Sequence, residues 1–111
     1  MRPITGVWLV MALLTPAVVY AGQIYGTIVS GGQGAKGLNI EIQCGKDEPA
    51  KGPTAADGSY RINVQQQGQC TLTLPDQPGK PSAMVFSSSN PALYNFELAK
   101  KQDGTFELRR R

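Results

Sequence analysis

The side chains in this sequence most able to do acid–base chemistry are eight carboxylates, two of which at a suitable separation could hydrolyse a glycoside. They are Glu41, Asp47, Glu48, Asp57, Asp76, Glu97, Asp103 and Glu107. Two of the aspartates precede a glycine in a turn dipeptide, and three of the glutamates fall on the outward phase of alternating runs. The remaining carboxylates lie in proline-bearing loops. Each one therefore has a structural explanation that needs no reaction.

The absence of histidine narrows the chemistry further. With no histidine in 111 residues, the chain lacks the usual general base near neutral pH, the usual zinc ligand and the partner of a catalytic serine or cysteine. The serines 87 to 89 follow one another with no such base available. We expect a protein that is not an enzyme and has no catalytic residues, no metal and no cofactor.

Two cysteines, Cys44 and Cys70, could form a structural disulfide, a redox pair or part of a metal site. A redox pair is usually spaced by two residues, and a metal site needs further ligands that the missing histidines cannot supply. Both cysteines also fall in phase with the apolar positions of alternating runs, 38–44 and 70–74. The sequence therefore predicts a disulfide that points into the core and supplements a thin apolar interior.

The first 21 residues have the order of a secretory signal. Arg2 is followed by an apolar run over 7–14, then by Pro16 and by small residues at 19 and 21, which predicts cleavage after Ala21. A membrane anchor is the alternative, but the apolar run is shorter than the roughly 20 residues that span a bilayer. We expect an exported protein, periplasmic or secreted, with one domain over 22–111 and no transmembrane span after cleavage.

The mature segment alternates with a period of two, which predicts strands. Asp57-Gly58 and Asp103-Gly104 are turn dipeptides followed at once by alternating runs, and both predict hairpins. The tract 31–37 is glycine-rich and predicts a flexible connection rather than a phosphate loop, because no helix follows it. The predicted strands cover 23–29, 38–44, 60–64, 70–74, 83–87, 94–98 and 106–108, with a short one near 54–55. This predicts an all-β fold, a small antiparallel β-sandwich of about seven strands.

A more specific pattern runs from Gln23 to Leu74. It contains, in order, Gly-Thr-Ile-Val from residue 26, a glycine-rich loop, Thr-Ala-Ala-Asp-Gly-Ser-Tyr from residue 54 and Gly-Gln-Cys-Thr-Leu from residue 68. This order resembles the carboxypeptidase regulatory-like domain. Its most specific piece is the turn motif Thr54, Asp57, Gly58 and Tyr60. The resemblance implies a transthyretin-like (prealbumin-type) sandwich, grouped with carbohydrate-binding-like folds, that acts as a non-catalytic accessory module. The segment 85–98 has no counterpart in that pattern.

These observations predict a non-catalytic binding module whose partner is a protein of the cell envelope. Its contact candidates are the loops 31–37, 45–53 and 86–93, because loops tolerate variation that strands do not. One alternative is carbohydrate or peptidoglycan binding, for which Tyr25 and Phe86 are the possible ligand contacts, since the other rings are in phase with the core. A second alternative is a small inhibitor or immunity-type protein.

A basic cluster marks the carboxy-terminal end, made of Lys100, Lys101, Arg109, Arg110 and Arg111. It could steer the protein to acidic envelope surfaces. The alternative is a solvated, frayed tail that discourages edge pairing. Nucleic acid is not an expected partner, because the net charge of the chain is only +3 and no exposed aromatic residues interleave with the basic ones.

Overall fold

The computed structural model describes residues 22–46 and 48–111. The predicted signal peptide, its cleavage site after Ala21 and the carboxylate of Asp47 lie outside this range. In the part of the chain that is described, no helix is both long enough and apolar enough to cross a membrane.

Ten β-strands make up the described chain, which confirms the all-β prediction. In chain order they are β1 (Gly22–Ser30), β2 (Gln33–Gly34), β3 (Asn39–Gln43), β4 (Ala50–Pro53), β5 (Ser59–Val64), β6 (Gly68–Thr73), β7 (Ser82–Ser87), β8 (Ala92–Leu93), β9 (Phe96–Lys100) and β10 (Phe106–Arg110).

The number of strands exceeds the predicted number of about seven, mainly because β2 and β8 were not predicted. The two-residue strands β2 and β8 are too short to show a period-two pattern. The prediction of a short strand at 54–55 is wrong. The strand in this region is β4, which ends at Pro53 and also contains Gly52. Glycine and proline are both depleted in strands, so this segment gave no strand signal.

The strands form two sheets. Sheet I has six strands, in which β10, β9, β1 and β2 lie in that order and β5 and β8 also pair with β1. Sheet II has four strands in the order β4-β3-β6-β7. The prediction of an antiparallel fold needs a correction, because β1 runs parallel to β8 and to β9. The chain leaves β7 in sheet II and enters sheet I alongside β1, a pairing that no local turn signal encodes.

The core lies between the sheets and is formed by the inward phase of each strand. Its fully buried side chains include Ile24, Ile28, Ile40, Ile42, Leu72, Leu74, Val85 and Phe96. The predicted Cys44–Cys70 disulfide is present and buried, with 6% and 2% of the two residues exposed. It joins neighbouring strands of sheet II and spans 26 residues of sequence, a loop whose closure stabilises the fold by roughly 3.5 kcal/mol.

Of the two hairpins predicted at Asp-Gly turns, one forms and the other does not. Asp103-Gly104 joins β9 to β10, which pair antiparallel, so that hairpin is confirmed. Asp57-Gly58 does not close a hairpin, because β4 belongs to sheet II and β5 to sheet I. The reversal itself is tight, since the Gly58 amide donates to the Ala55 carbonyl at 2.9 Å. An Asp-Gly pair determines a turn but not whether the flanking strands bond to each other.

A close backbone contact fixes how β1 meets the segment between β8 and β9. A Cβ atom built on Gly26 would lie 1.9 Å from the Tyr94 carbonyl oxygen, so only glycine fits there. The Tyr94 amide donates to the Tyr25 carbonyl at 2.8 Å, and the Thr27 amide donates to Asn95 Oδ1 at 2.9 Å. Because β8 and β9 both pair with β1, residues 94 and 95 interrupt what would otherwise be one continuous strand.

Replacing Gly26 by alanine should therefore destabilise the protein strongly. We expect Gly26→Ala to lower the free energy of unfolding by roughly 3 kcal/mol, because the new methyl group would displace backbone rather than a flexible side chain. Denaturant unfolding measures the effect. Gly32→Ala is the matched control, since no atom lies within 4 Å of a Cβ at that position and the cost should be only about 1 kcal/mol of backbone strain. Equal losses for the two variants would contradict the contact.

Candidate functional site

The turn motif found in the sequence is a structural corner. The Thr54 hydroxyl is buried, accepts a hydrogen bond from the Leu38 amide at 2.8 Å and donates one to the Ala35 carbonyl at 2.5 Å. It thereby holds the strand end of β4 against the chain that leads from β2 to β3. A buried hydroxyl that both accepts and donates a hydrogen bond contributes to the stability of the fold rather than to a reaction.

Asp57 shapes the turn itself. Its carboxylate is exposed and accepts hydrogen bonds from the amide and the hydroxyl of Ser59, at 3.0 Å and 2.7 Å. The hydroxyl bond, followed by the amide bond, lowers the pKa of Asp57 below its ordinary value of 3.8. Asp103 has the same arrangement with Thr105, which likewise lowers its pKa. Neither carboxylate is therefore suited to act as a general acid near neutral pH.

Tyr60 ties the corner to the other side of sheet I. Its hydroxyl donates to the Tyr94 carbonyl at 2.7 Å, and the residue is 4% exposed. Burial is the main cause that raises the pKa of Tyr60 above its ordinary value. The hydroxyl therefore stays protonated and keeps its role as donor.

The first candidate surface lies on the outer face of sheet I, around Tyr25. In register, Tyr25 of β1 faces Arg61 of β5 on one side and Leu93 of β8 on the other. The Arg61 guanidinium lies over the tyrosine ring at 5.1 Å from its centroid, and Leu93 is 51% exposed. Arg61 also donates to Gln23 Oε1 at 2.6 Å. Tyrosine and arginine are side chains that protein interfaces use as anchors, and Leu93 adds exposed apolar area beside them.

Next to this row is an open depression of about 520 Å³. It is lined by Tyr25, Gly26, Thr27, Pro53, Thr54, Ala55, Ser59, Tyr60, Arg61 and Leu93. Arg61 is its only charged lining residue, so the depression favours a neutral or anionic group. Because the Arg61 guanidinium covers one side of the Tyr25 ring, a sugar stacking on that side would have to displace it.

The second candidate surface is the β7 edge, which we define as residues 82–87 at the free side of sheet II. The Phe86 amide points away from β6, because it donates to the Tyr94 hydroxyl at 3.0 Å. Backbone directions alternate along an antiparallel strand, so the N–H and C=O groups of Ser82 and Met84 also point away from β6. Met84 and Phe86 are 55% and 52% exposed. The β7 edge therefore combines two exposed apolar side chains with backbone groups, at Ser82 and Met84, that point away from β6.

Part of the basic cluster lies in strand β10. Arg109 and Arg110 belong to β10 and pair in register with Glu97 and Phe96 of β9, and the Arg111 amide donates to the Asn95 carbonyl at 2.9 Å. Strand pairing up to residue 110 does not fit the alternative of a frayed tail, whereas the exposure of Arg109, Arg110 and Arg111 agrees with its solvated character. Arg110 packs its guanidinium over the Tyr94 ring, 4.4 Å from the centroid, and Arg109 forms a salt bridge with Glu107. Lys100 and Lys101 are exposed near the hairpin turn.

The predicted contact loops are only partly loops. Strand β2 lies inside 31–37, β4 lies inside 45–53, and 86–93 contains the end of β7 and all of β8. Within the described residues, no three carboxylates or cysteines lie close enough to hold a metal ion. The carboxylates of the described residues belong to separate strands, turns and loops.

Sequence reasoning did not single out Arg61, Leu93 or Met84. Two of them carry a signal that could have found them, because Met84 is in phase with Phe86 and Arg61 is on the outward phase of its strand. Leu93 has no such signal, because its strand has only two residues. Its place beside Tyr25 comes from a parallel pairing that a local pattern cannot show.

Comparison with known proteins supports the fold alone. No protein-family model matches the chain, and no curated protein does. The structure is similar to the crystal structure of a DUF3823 family protein from Parabacteroides merdae, with a TM-score of 0.55 and 15% sequence identity. The similarity covers 84% of this chain and 48% of the other, so this chain spans about half the length of its neighbour.

The hydrogen bonds of Asp57 predict a measurable pH effect. Because its folded pKa is lowered, its ionised form stabilises the fold above the ordinary pKa of 3.8, and this stabilisation is lost as the pH falls through the lower folded value. Carboxyl titration by NMR should give a midpoint for Asp57 below 3.8. Ser59→Ala removes the hydroxyl donor and should move that midpoint upward. An unchanged midpoint in Ser59→Ala would show that the hydroxyl bond is not the cause.

Proposed function

We propose that this protein is a non-catalytic binding module of the cell envelope, and that it receives an extended segment of a protein partner along the β7 edge. The observation that carries the proposal is the exposure of Met84 and Phe86 on the last strand of sheet II, whose backbone groups at Ser82 and Met84 point away from β6. Unpaired edges of this kind bind partners by adding a strand, with main-chain hydrogen bonds giving affinity and alternate side chains giving specificity.

Two other edges, those of β4 and β10, are less suited to this role. The β4 edge carries Lys51 and ends at Pro53, and β10 carries three charged residues, Glu107, Arg109 and Arg110. Charged residues and proline are the devices by which proteins protect their edges from further pairing. Strand β7, with the sequence Ser-Ala-Met-Val-Phe-Ser, contains neither. An apolar, uncharged edge left open in this way favours a partner strand.

The proposal includes export and a family assignment. The buried Cys44–Cys70 disulfide is of a kind that persists in oxidising compartments, which supports a periplasmic or secreted protein cleaved after Ala21. The corner formed by Thr54, Asp57, Gly58 and Tyr60 gives each residue of the turn motif a structural role, which supports a carboxypeptidase regulatory-like sandwich. Accessory modules of that kind bind rather than catalyse.

Met84→Pro should abolish partner binding, because it removes an outward N–H group that a partner strand needs. Proline is tolerated on an edge strand when its missing donor faces outward, so the variant should stay folded. Met84→Thr keeps the donor and should weaken binding only in part. A photoreactive phenylalanine analogue at position 86, introduced in the cells that make the protein, reports the yield of the cross-linked complex.

The same analogue at Lys51, on the opposite edge of sheet II, is the matched control and should give no specific complex. Circular dichroism and denaturant unfolding verify that each variant is folded. If a folded Met84→Pro variant gives the same cross-linking yield as the unaltered chain, strand addition at β7 is excluded.

A second candidate function is carbohydrate or peptidoglycan binding at the Tyr25 depression. The favouring observation is the combination of an aromatic ring, the Arg61 guanidinium and the amide side chains of Gln23 and Asn63 on one open face. Such groups can hydrogen-bond sugar hydroxyls, and an aromatic ring beside them supplies an apolar contact.

For this candidate, the protein should co-sediment with insoluble peptidoglycan, and Tyr25→Ala should return it to the supernatant. Phe86→Ala is the control, because Phe86 lies on the other sheet and should leave sedimentation unchanged if the depression is the site. Recovery in the supernatant with and without polymer would remove this function.

A further inference from the structure

We infer that the segment received at the β7 edge is acidic, with carboxylates flanking an uncharged stretch that pairs with β7. The inference rests on the proposed function and specifies the chemistry of the partner. It follows from the charges at the two ends of the edge and from the groups that hold them there.

Both ends of the β7 edge carry positive charge. Lys80 lies two residues before the strand begins, and Arg110 lies near Phe86 at its other end, because both residues contact Tyr94. The position of Arg110 is fixed through Tyr94, because its guanidinium packs on the tyrosine ring while the tyrosine hydroxyl accepts the Phe86 amide. One aromatic side chain therefore separates the guanidinium from the backbone of the edge. At the other end, the Phe106 amide donates to the Pro78 carbonyl at 3.0 Å, which holds β10 beside the loop that leads into β7.

Two carboxylates of the described residues, Glu107 and Asp76, have partners other than these groups. Glu107, the acidic residue of β10, forms its salt bridge with Arg109, and Asp76 accepts a hydrogen bond from Asn39 at 2.5 Å. In the described part of the chain, Arg110 forms no salt bridge. A guanidinium that packs on an aromatic face keeps its outer N–H groups available for a carboxylate.

A second copy of this chain is a poor occupant for the same reason. Two β7 strands pairing antiparallel about a two-fold axis would place the Lys80 end of one copy against the Arg110 end of the other. Like charges brought together in this way oppose association. A partner segment with acidic flanks can form ion pairs with Lys80 at one end and with Arg110 at the other. Its uncharged middle can place apolar side chains beside Met84 and Phe86.

The test uses three tails, each joined through the same flexible glycine-serine linker after Arg111. Each tail has six alternating threonines and valines, flanked at both ends by two glutamates, two glutamines or two lysines. Tethering raises the effective concentration of a weak strand to about the millimolar range. Amide hydrogen exchange measured by NMR at Ser82 and Met84, compared with the chain without a tail, reports strand addition directly.

We expect the glutamate tail to slow exchange of the Met84 amide by about tenfold relative to the glutamine tail, and the lysine tail to protect it least. Added salt should reduce these differences, because screening weakens exposed charge pairs. Arg110→Gln should remove much of the advantage of the glutamate tail. Arg109→Gln is the matched control, since it removes the same charge from the same strand at a site already paired with Glu107.

The outcomes separate the two proposals. Equal protection by all three tails would overturn the acidic preference and leave strand addition in place. Loss of the glutamate advantage in Arg109→Gln but not in Arg110→Gln would overturn the role given to Arg110. Protection by none of the tails would count against strand addition at β7 itself, and with it the proposed function.

Discussion

The contact between Gly26 of β1 and the carbonyl of Tyr94 organises most of the structure. Because residue 26 has no side chain, the break between β8 and β9 can approach β1 closely enough for both strands to pair with it. The same tyrosine then accepts the Tyr60 hydroxyl on its carbonyl and the Phe86 amide on its own hydroxyl. Tyr94 thereby links the turn motif of sheet I to the last strand of sheet II.

The proposed binding edge is a consequence of this link. Tyr94 holds the end of β7 and also supports Arg110, so the open strand and its positive flank are positioned by one side chain. Strand β7 is in turn held on β6, which the Cys44–Cys70 disulfide joins to the end of β3. In a domain this small, where burial alone supplies little stability, the covalent bond and the shared tyrosine keep an exposed strand in a fixed register.

The two candidate surfaces lie on different sheets and suit different chemistry. The Tyr25 face holds a shallow depression lined by one guanidinium, with the side-chain amides of Gln23 and Asn63 on the same face, which suits a small polar ligand. The β7 edge offers the outward backbone groups of Ser82 and Met84 beside two exposed apolar side chains, which suits an extended chain. Tyr94 contacts both surfaces, since its amide donates to the Tyr25 carbonyl and its hydroxyl accepts the Phe86 amide.

The sequence by itself determined the strand character, the inward phase of Cys44 and Cys70 and the Asp103-Gly104 hairpin, because alternation and turn chemistry act between neighbouring residues. It also indicated Tyr25 and Phe86 as rings outside the core. Only the tertiary structure decided that β4 and β5 lie in different sheets, that β8 and β9 run parallel to β1, and that Arg110 packs on Tyr94. These contacts join residues far apart in the chain, and their energy comes from packing between sheets, which no local pattern records.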